Sequence, residues 1–274
     1  MKLAKIIKWE YGKWTQSIKT ALIKSTNYKM DFFLSLIVPV CVYFFIKYNL
    51  WSSIYHFNSG EKQIQGYSLD KMIQYQFWIM IFDFFVRAHF FSENLSESIR
   101  LGKISSFLLY PFGFIKYQLS LFISDKIIQL GVGGLALSLA LCFYFTEPLN
   151  GAILIKSFFL MCLVSGFWFV IQIIVGLLAF WHDETWSLNV CFRFIAAFLS
   201  GSLLPLDFYP EALTKILLWT PFPYLIYFPV KGLMGEPINF GFTCLVLGVW
   251  IIGLSFFMGW LWKRGLKFYT GSGI

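Results

Sequence analysis

Six long apolar stretches occupy most of the 274 residues, at about 31–51, 72–91, 116–145, 152–181, 185–206 and 240–262. An α-helix rises ~1.5 Å per residue, so each stretch is long enough for the ~20 residues that cross a ~30 Å hydrocarbon core. Lipid offers the backbone no hydrogen-bond partners, which restricts such segments to helices. The expected class is therefore an all-α polytopic membrane protein with six transmembrane helices, and a soluble enzyme is excluded. Composition agrees, with 58% hydrophobic residues, 13% charged residues and 33 phenylalanines. The polar intervals are too short for a second domain, so residues 1–274 read as one transmembrane domain.

Lysine and arginine are retained on the cytoplasmic side of a membrane protein. With both termini cytoplasmic, the inner segments hold fifteen basic residues: seven in 1–30, five from Arg87 to Lys126, and Lys263, Arg264 and Lys267. The outer segments hold six, namely Lys47, Lys62, Lys71, Lys156, Lys215 and Lys231, while Arg193 lies inside a span. The net charge of +8 is explained by orientation and anionic membrane lipids, and requires no nucleic-acid partner.

The first thirty residues lack the apolar core and small-residue cleavage site of a signal peptide. At 100° per residue, Leu3, Ile7, Tyr11, Trp14, Ile18 and Leu22 form one stripe, with Lys2, Lys5, Lys8, Lys13, Lys19 and Lys24 opposite. This pattern predicts an in-plane interfacial amphipathic helix over about 1–25, with Ser25-Thr26-Asn27 starting the first span.

Polar residues within spans are few. Pro39 should bend the first. Asp83 and Arg87, spaced i, i+4, can pair near the cytoplasmic end of the second. Arg193, about eight residues into the fifth, either bridges to Asp83, Asp183 or Glu184 or lines a path. The five cysteines fall inside spans without CxxC spacing and read as small apolar residues.

Two connections stand out. From Ser92 to Pro111, Ser92 or Asn94 can cap a short helix, with Glu97 early, Arg100 late and Gly102 as its stop; this predicts a helix beneath the bilayer over about 93–108. Residues 205–237 hold six of the nine prolines, with apolar pieces at 212–219 and 224–228 too short to span. They are expected to form a re-entrant hairpin over about 205–235, turning at Thr220-Pro221-Phe222-Pro223.

The order of these elements, with the Gly102–Pro111 run Gly-x-Ile-Ser-x-x-Leu-Leu-x-Pro, Leu199-Ser-Gly-Ser-Leu-Leu-Pro-Leu-Asp-Phe-Tyr-Pro210 and Pro221-Phe-Pro-Tyr-Leu-Ile-Tyr-Phe-Pro229, resembles the type-2 ABC exporter permeases of bacteria nearly end to end. The resemblance implies the transmembrane subunit of an ATP-driven exporter in the bacterial inner membrane. It would work as a homo- or heterodimer on two ATP-binding cassette subunits. Ser96, Glu97, Ile99, Arg100, Gly102 and Lys103 would couple to the ATPase, and the N-terminal helix would add a contact. Pro205, Leu206, Phe208, Pro210, Pro221, Phe222, Pro223 and Tyr224 would form an extracellular gate. The chain has no Gly-x-x-x-x-Gly-Lys-Ser/Thr phosphate loop, so ATP and Mg would be bound by the partner and no cofactor directly by this chain.

Two other classes compete. A secondary transporter or channel would show paired mid-membrane charges in similar halves. An intramembrane enzyme would need convergent acid–base groups, yet His56, His89 and His182 are scattered, and His182-Asp183-Glu184 fits a polar turn. No metal-ligand spacing is present.

Overall fold

The computed structural model describes residues 12–20, 22–23, 29–57, 63–86, 91–105, 113–144 and 151–269. Regular structure there is helical, apart from one isolated bridge between Ile64 and Tyr67. Helix α1 spans Lys29–Phe57, α2 Leu69–Val86, α3 Phe91–Arg100, α4 Phe114–Tyr144, α5 Gly151–Leu177 and α6 Trp186–Leu199. Short helices α7 (Glu211–Leu217), α8 (Phe222–Leu225) and α9 (Tyr227–Leu233) precede α10 (Phe240–Phe268).

Among the described residues, Gly151–Phe180 and Phe240–Phe268 are the two helical stretches both long and apolar enough to cross a membrane. They differ in surroundings. In the most apolar window of α5, extended by a 3-10 turn at Leu178–Phe180, 61% of residues are buried, against 11% in α10. Helix α5 is thus the central post. One face (Leu160, Val164, Phe167, Ile171, Val175) packs with α2 and the short helices. Its other face (Phe169, Val170, Ile173, Ile174, Leu177) packs with α3, α4 and α10. That two-faced burial follows from a helix apolar all round. The exposed row Leu245, Val249, Ile252 and Phe256 on α10 is spaced for a lipid-facing surface.

The fifth apolar stretch is shorter as a helix than its hydropathy suggested. Helix α6 stops at Leu199, giving 14 residues and ~21 Å, less than a bilayer core. The chain turns away because Gly201 adopts φ +85°, and the Ser200 carbonyl accepts the Tyr227 N–H at 3.0 Å. An added Cβ at Gly201 would lie 3.0 Å from Leu206 Cδ1 and Tyr227 Cβ, so glycine serves both the turn and the close approach.

Two connections also differ from expectation. The helix expected at 93–108 covers Phe91–Arg100, turns at 101–103 and is helical again at 104–105; residues 106–112 lie outside the described residues. In the hairpin, the second leg is split at Ile226 (φ −134°, ψ −57°) into α8 and α9. Pro229 explains the split, because it has no N–H for the Leu225 carbonyl and its ring crowds that position. Pro39 lies inside α1.

Of the N-terminal amphipathic segment, residues 12–20 and 22–23 are helical, with Trp14, Ile18 and Leu22 half-buried and Lys19 exposed. It rests on α4, where Ser17 pairs with Ser120 and the Ser124 hydroxyl donates to the Ile18 carbonyl at 3.2 Å. Residues 1–11, the Ser25-Thr26-Asn27 cap and Arg87 lie outside the described residues, and with Arg87 its pairing to Asp83.

Candidate functional site

The structure gathers candidate residues at two ends of α5. At the C-terminal end sits α3, whose Phe91, Ser92, Leu95, Ser96 and Ile99 are buried while Glu97 and Arg100 are exposed. The inward row repeats at i, i+4, i+8, as an amphipathic helix laid on a post requires. Of the six residues assigned to coupling, Ser96 and Ile99 therefore face the bundle, and Glu97, Arg100 and Lys103 face outward. Half-buried Gly102 closes the helix at φ +69°. The Lys103 N–H reaches the Ser98 carbonyl at 3.0 Å and the Gly102 N–H reaches that of Ile99 at 3.1 Å, the paired bonds of a Schellman stop. Gly102→Ala should cost ~1–2 kcal/mol, since an L-residue is strained at that φ; chemical unfolding of the purified protein measures it.

Polar ties fix α3 to its neighbours. The Ser92 N–H donates to Gln172 Oε1 at 3.3 Å, and Gln172 Nε2 donates to Asn189 Oδ1 at 3.0 Å. This buried relay joins α3, α5 and α6. Ser96 pairs with Thr185, and Arg100 Nη1 donates to the Asp183 carbonyl at 3.0 Å. The Tyr269 hydroxyl donates to the Gly102 carbonyl at 2.6 Å, tying the turn to the segment after α10. Beside α3 lies an open hollow of about 300 Å³ lined by Glu93, Glu97, Asp183, Glu184 and Arg100 among others. Four carboxylates against one guanidinium give it a negative potential. His182-Asp183-Glu184 sits exposed at its edge, as a polar turn would.

The opposite end carries the proline-rich hairpin. Leu206 and Tyr224 are buried, Pro205, Pro221 and Pro223 are buried, Phe208 and Phe222 half-buried and Pro210 exposed. They fall into two groups. Phe208 packs on Trp51 and Tyr67, with centroids 5.9 and 5.8 Å away. Phe222 lies 6.4 Å from Phe192 of α6, and Tyr224 stacks on Phe228 at 5.0 Å.

Between those groups lies a charged knot that the sequence reading did not assemble. Asp207 accepts the Tyr67 hydroxyl, the Tyr227 hydroxyl at 2.8 Å, and the Lys231 ammonium at 3.2 Å. Lys231 also meets Glu236 at 2.8 Å, and Glu236 meets Lys71 at 2.8 Å. Tyr67 is presented by a two-residue reversal, with Gln65 and Gly66 at φ 50° and 78°; these values suit a tight hairpin turn. Burial alone would raise the Asp207 carboxyl, but the two tyrosine hydroxyls and Lys231 outweigh it and hold it below the usual carboxylate range. At Glu236 burial is likewise overridden, by Lys231 and Lys71, and its value falls. Burial would lower Lys231, yet Glu236, Tyr227 and Asp207 raise it. All three charges are thus held at neutral pH.

Arg193 is half-buried on α6 and Asp83 half-buried on α2. Lys126, counted in the sequence only as a charge, donates to the Phe85 and Val86 carbonyls at 3.0 Å each and so caps the end of α2. Cys41, Cys162 and Cys191 are exposed free thiols on helices, and Cys244 is half-buried. No cluster of three or more metal-binding side chains occurs among the described residues.

A helical bundle with two apolar helices of membrane-crossing length among the described residues is consistent with a helical membrane protein. The family model described as ABC-2 family transporter protein matches residues 36–273, and the chain belongs to that family. It is accordingly a transmembrane permease component of an ABC transporter, and membership implies association with ATP-binding subunits. No curated protein matches the chain.

Proposed function

We propose that this chain is the permease subunit of an ATP-driven exporter, crossing the bacterial inner membrane six times with both termini cytoplasmic. Two copies, or this chain and a homologous one, would frame the path at their interface, and two separate cassette subunits would bind ATP and Mg. The observation that carries the reading is α3: one face is keyed into α5 and α6, and the other presents Glu97 and Arg100 beside an acidic hollow. A helix held this way passes a push to the central post instead of absorbing it. The hollow suits a basic side chain of the cassette.

At the far end, the hairpin from Pro205 to Tyr224 would gate the outer exit in an alternating-access cycle. Its short helices and the early end of α6 at Gly201 support a re-entrant element in place of a further span. Helix α6 would reach across only part of the bilayer and leave the outer leaflet to the hairpin.

Co-purification with the cassette ATPase tests the proposal. Glu97→Lys places a cation where the partner's is expected, and should cut association at least about tenfold, since facing like charges cost several kcal/mol. Unchanged association, or solute movement by the chain alone without ATP, overturns the coupling assignment and favours a secondary transporter or channel.

A further inference from the structure

The C-terminal turns of α10 hold a feature that neither the coupling helix nor the hairpin uses. Lys263, Arg264 and Lys267 are exposed and surround a hollow of about 550 Å³ whose other walls are Trp260 and Phe268. Helical spacing arranges them in two adjacent stripes. Residues 260, 264 and 268 run ring, guanidinium, ring; residues 263 and 267 run ammonium, ammonium. Arg264 lies over the Trp260 ring at 5.0 Å, which orients its planar donors. Residues 237–274 contain no aspartate or glutamate, and none of the three cations makes an ion pair among the described residues.

Three like charges within two turns repel one another. The helix C terminus, about −0.5 of a charge, offsets only a fraction of them. The remainder calls for an anion. Depth identifies which kind. Helix α10 has 29 residues, ~43 Å at 1.5 Å per residue, so it outruns a ~30 Å core and its last turns stand in the headgroup layer. Trp260, 50% exposed, lies ~30 Å along α10, where aromatic rings meet the glycerol and upper acyl region, and Phe268, 58% exposed, lies ~12 Å farther out among the headgroups.

We propose that Trp260, Lys263, Arg264, Lys267 and Phe268 form a binding site for the headgroup of an anionic membrane phospholipid. The Arg264 guanidinium takes two phosphate oxygens in a fork, the two ammonium groups supply point charges, Trp260 receives the start of an acyl chain, and Phe268 closes the headgroup side. A free phosphate would use the cations but leave the Trp260 ring uncovered, so the lipid fits better.

Native mass spectrometry of the delipidated full chain, titrated with dioleoyl phosphatidylglycerol or dioleoyl phosphatidylcholine, tests the site. Wild type should retain phosphatidylglycerol in preference. Replacing all three cations by glutamine should weaken that binding about a hundredfold, at about fivefold per cation. Arg264→Lys, which keeps the charge but loses the fork and the stacking, should weaken it severalfold with the fold undisturbed. Equal retention of both lipids, phosphatidylglycerol binding unchanged in the triple variant, or inorganic phosphate competing as well as the lipid overturns the proposal. So does a triple variant that keeps phosphatidylglycerol but loses the cassette ATPase, which makes the patch a protein-docking surface. These readouts need no transport, so failure here leaves the exporter reading standing.

Discussion

Asp207→Ala is expected to loosen the proline-rich hairpin internally and to release it from the Tyr67 turn ahead of α2, while leaving the rest of the bundle folded. One carboxylate accepts from Tyr67, Tyr227 and Lys231 at once, so its removal strands two tyrosine hydroxyls and leaves Lys231 with Glu236 and the faces of the Tyr67 and Tyr227 rings. Hydrogen bonds to a charged group are worth ~1.5–3 kcal/mol each. The Asp207 side chain is 34% exposed and solvent screens part of that, which brings the expected loss to ~2 kcal/mol. Hydrogen–deuterium exchange across residues 206–235 should quicken about thirtyfold, the factor that ~2 kcal/mol represents, with little change in α5. Glu211→Ala is the contrast: its pair with Lys215 has the same kind of geometry at 2.8 Å, but both side chains are mostly exposed, so the effect should be within ~0.5 kcal/mol. Equal exchange in the two variants would show that the knot does not hold the hairpin.

The same knot sets a pH window. Asp207 and Glu236 are held below their ordinary values, so their contribution is complete above about pH 4.3 and disappears as pH falls through the lowered values. Lys231 is raised; its contribution is complete below about pH 10.4 and is lost only as pH climbs through the raised value. Hairpin exchange, corrected for intrinsic rate, should be flat from about pH 5 to 9 and rise in acid. Asp207→Ala should flatten the acid limb, leaving the Glu236 part.

Much of this architecture was readable in the chain because it rests on local rules. The apolar runs mark the long helices, Gly102 marks the end of α3, and the prolines of 205–237 mark a segment that cannot continue as one helix. What eluded sequence reasoning depends on distance or on backbone sign. Tyr67 and Asp207 are 140 positions apart, and neither type at its position announces the other. The early stop of α6 turns on the positive φ of Gly201 within a stretch that stays apolar through Leu206. The inward facing of Ser96 and Ile99 did leave a signal, the row Phe91, Leu95 and Ile99 at helical spacing, which places the two serines beside it on the buried side. The Ser92–Gln172–Asn189 relay left none, because a buried glutamine reads like any other polar residue until its partners are known.

Gly176→Ala should produce the second large effect, at the joint between α3 and α5. A Cβ on residue 176 would stand 2.6 Å from Leu95 Cδ2, 2.9 Å from its Cγ and 3.0 Å from its Cβ, and Leu95 is itself 1% exposed. Two helices in such contact have no room for a methyl group, so α3 must move outward or Leu95 must leave its rotamer. Overpacking of this kind costs ~1–3 kcal/mol. Leu95→Ala alone should cost ~2–5 kcal/mol by leaving a cavity at the same place. The double variant is the decisive measurement: the added methyl fills part of the space vacated by leucine. The two changes should therefore sum to less than their separate costs, with a coupling of ~1 kcal/mol or more in chemical unfolding. Simple additivity would mean that the helices do not meet at this point. If α3 drives the central post, Gly176→Ala should also separate ATP hydrolysis from transport in the assembled complex: the cassette stays bound through Glu97 and Arg100, but its stroke reaches a displaced helix. Hydrolysis retained with transport reduced several-fold is the expected pattern, and a parallel fall in both would place the defect in assembly and not in transmission.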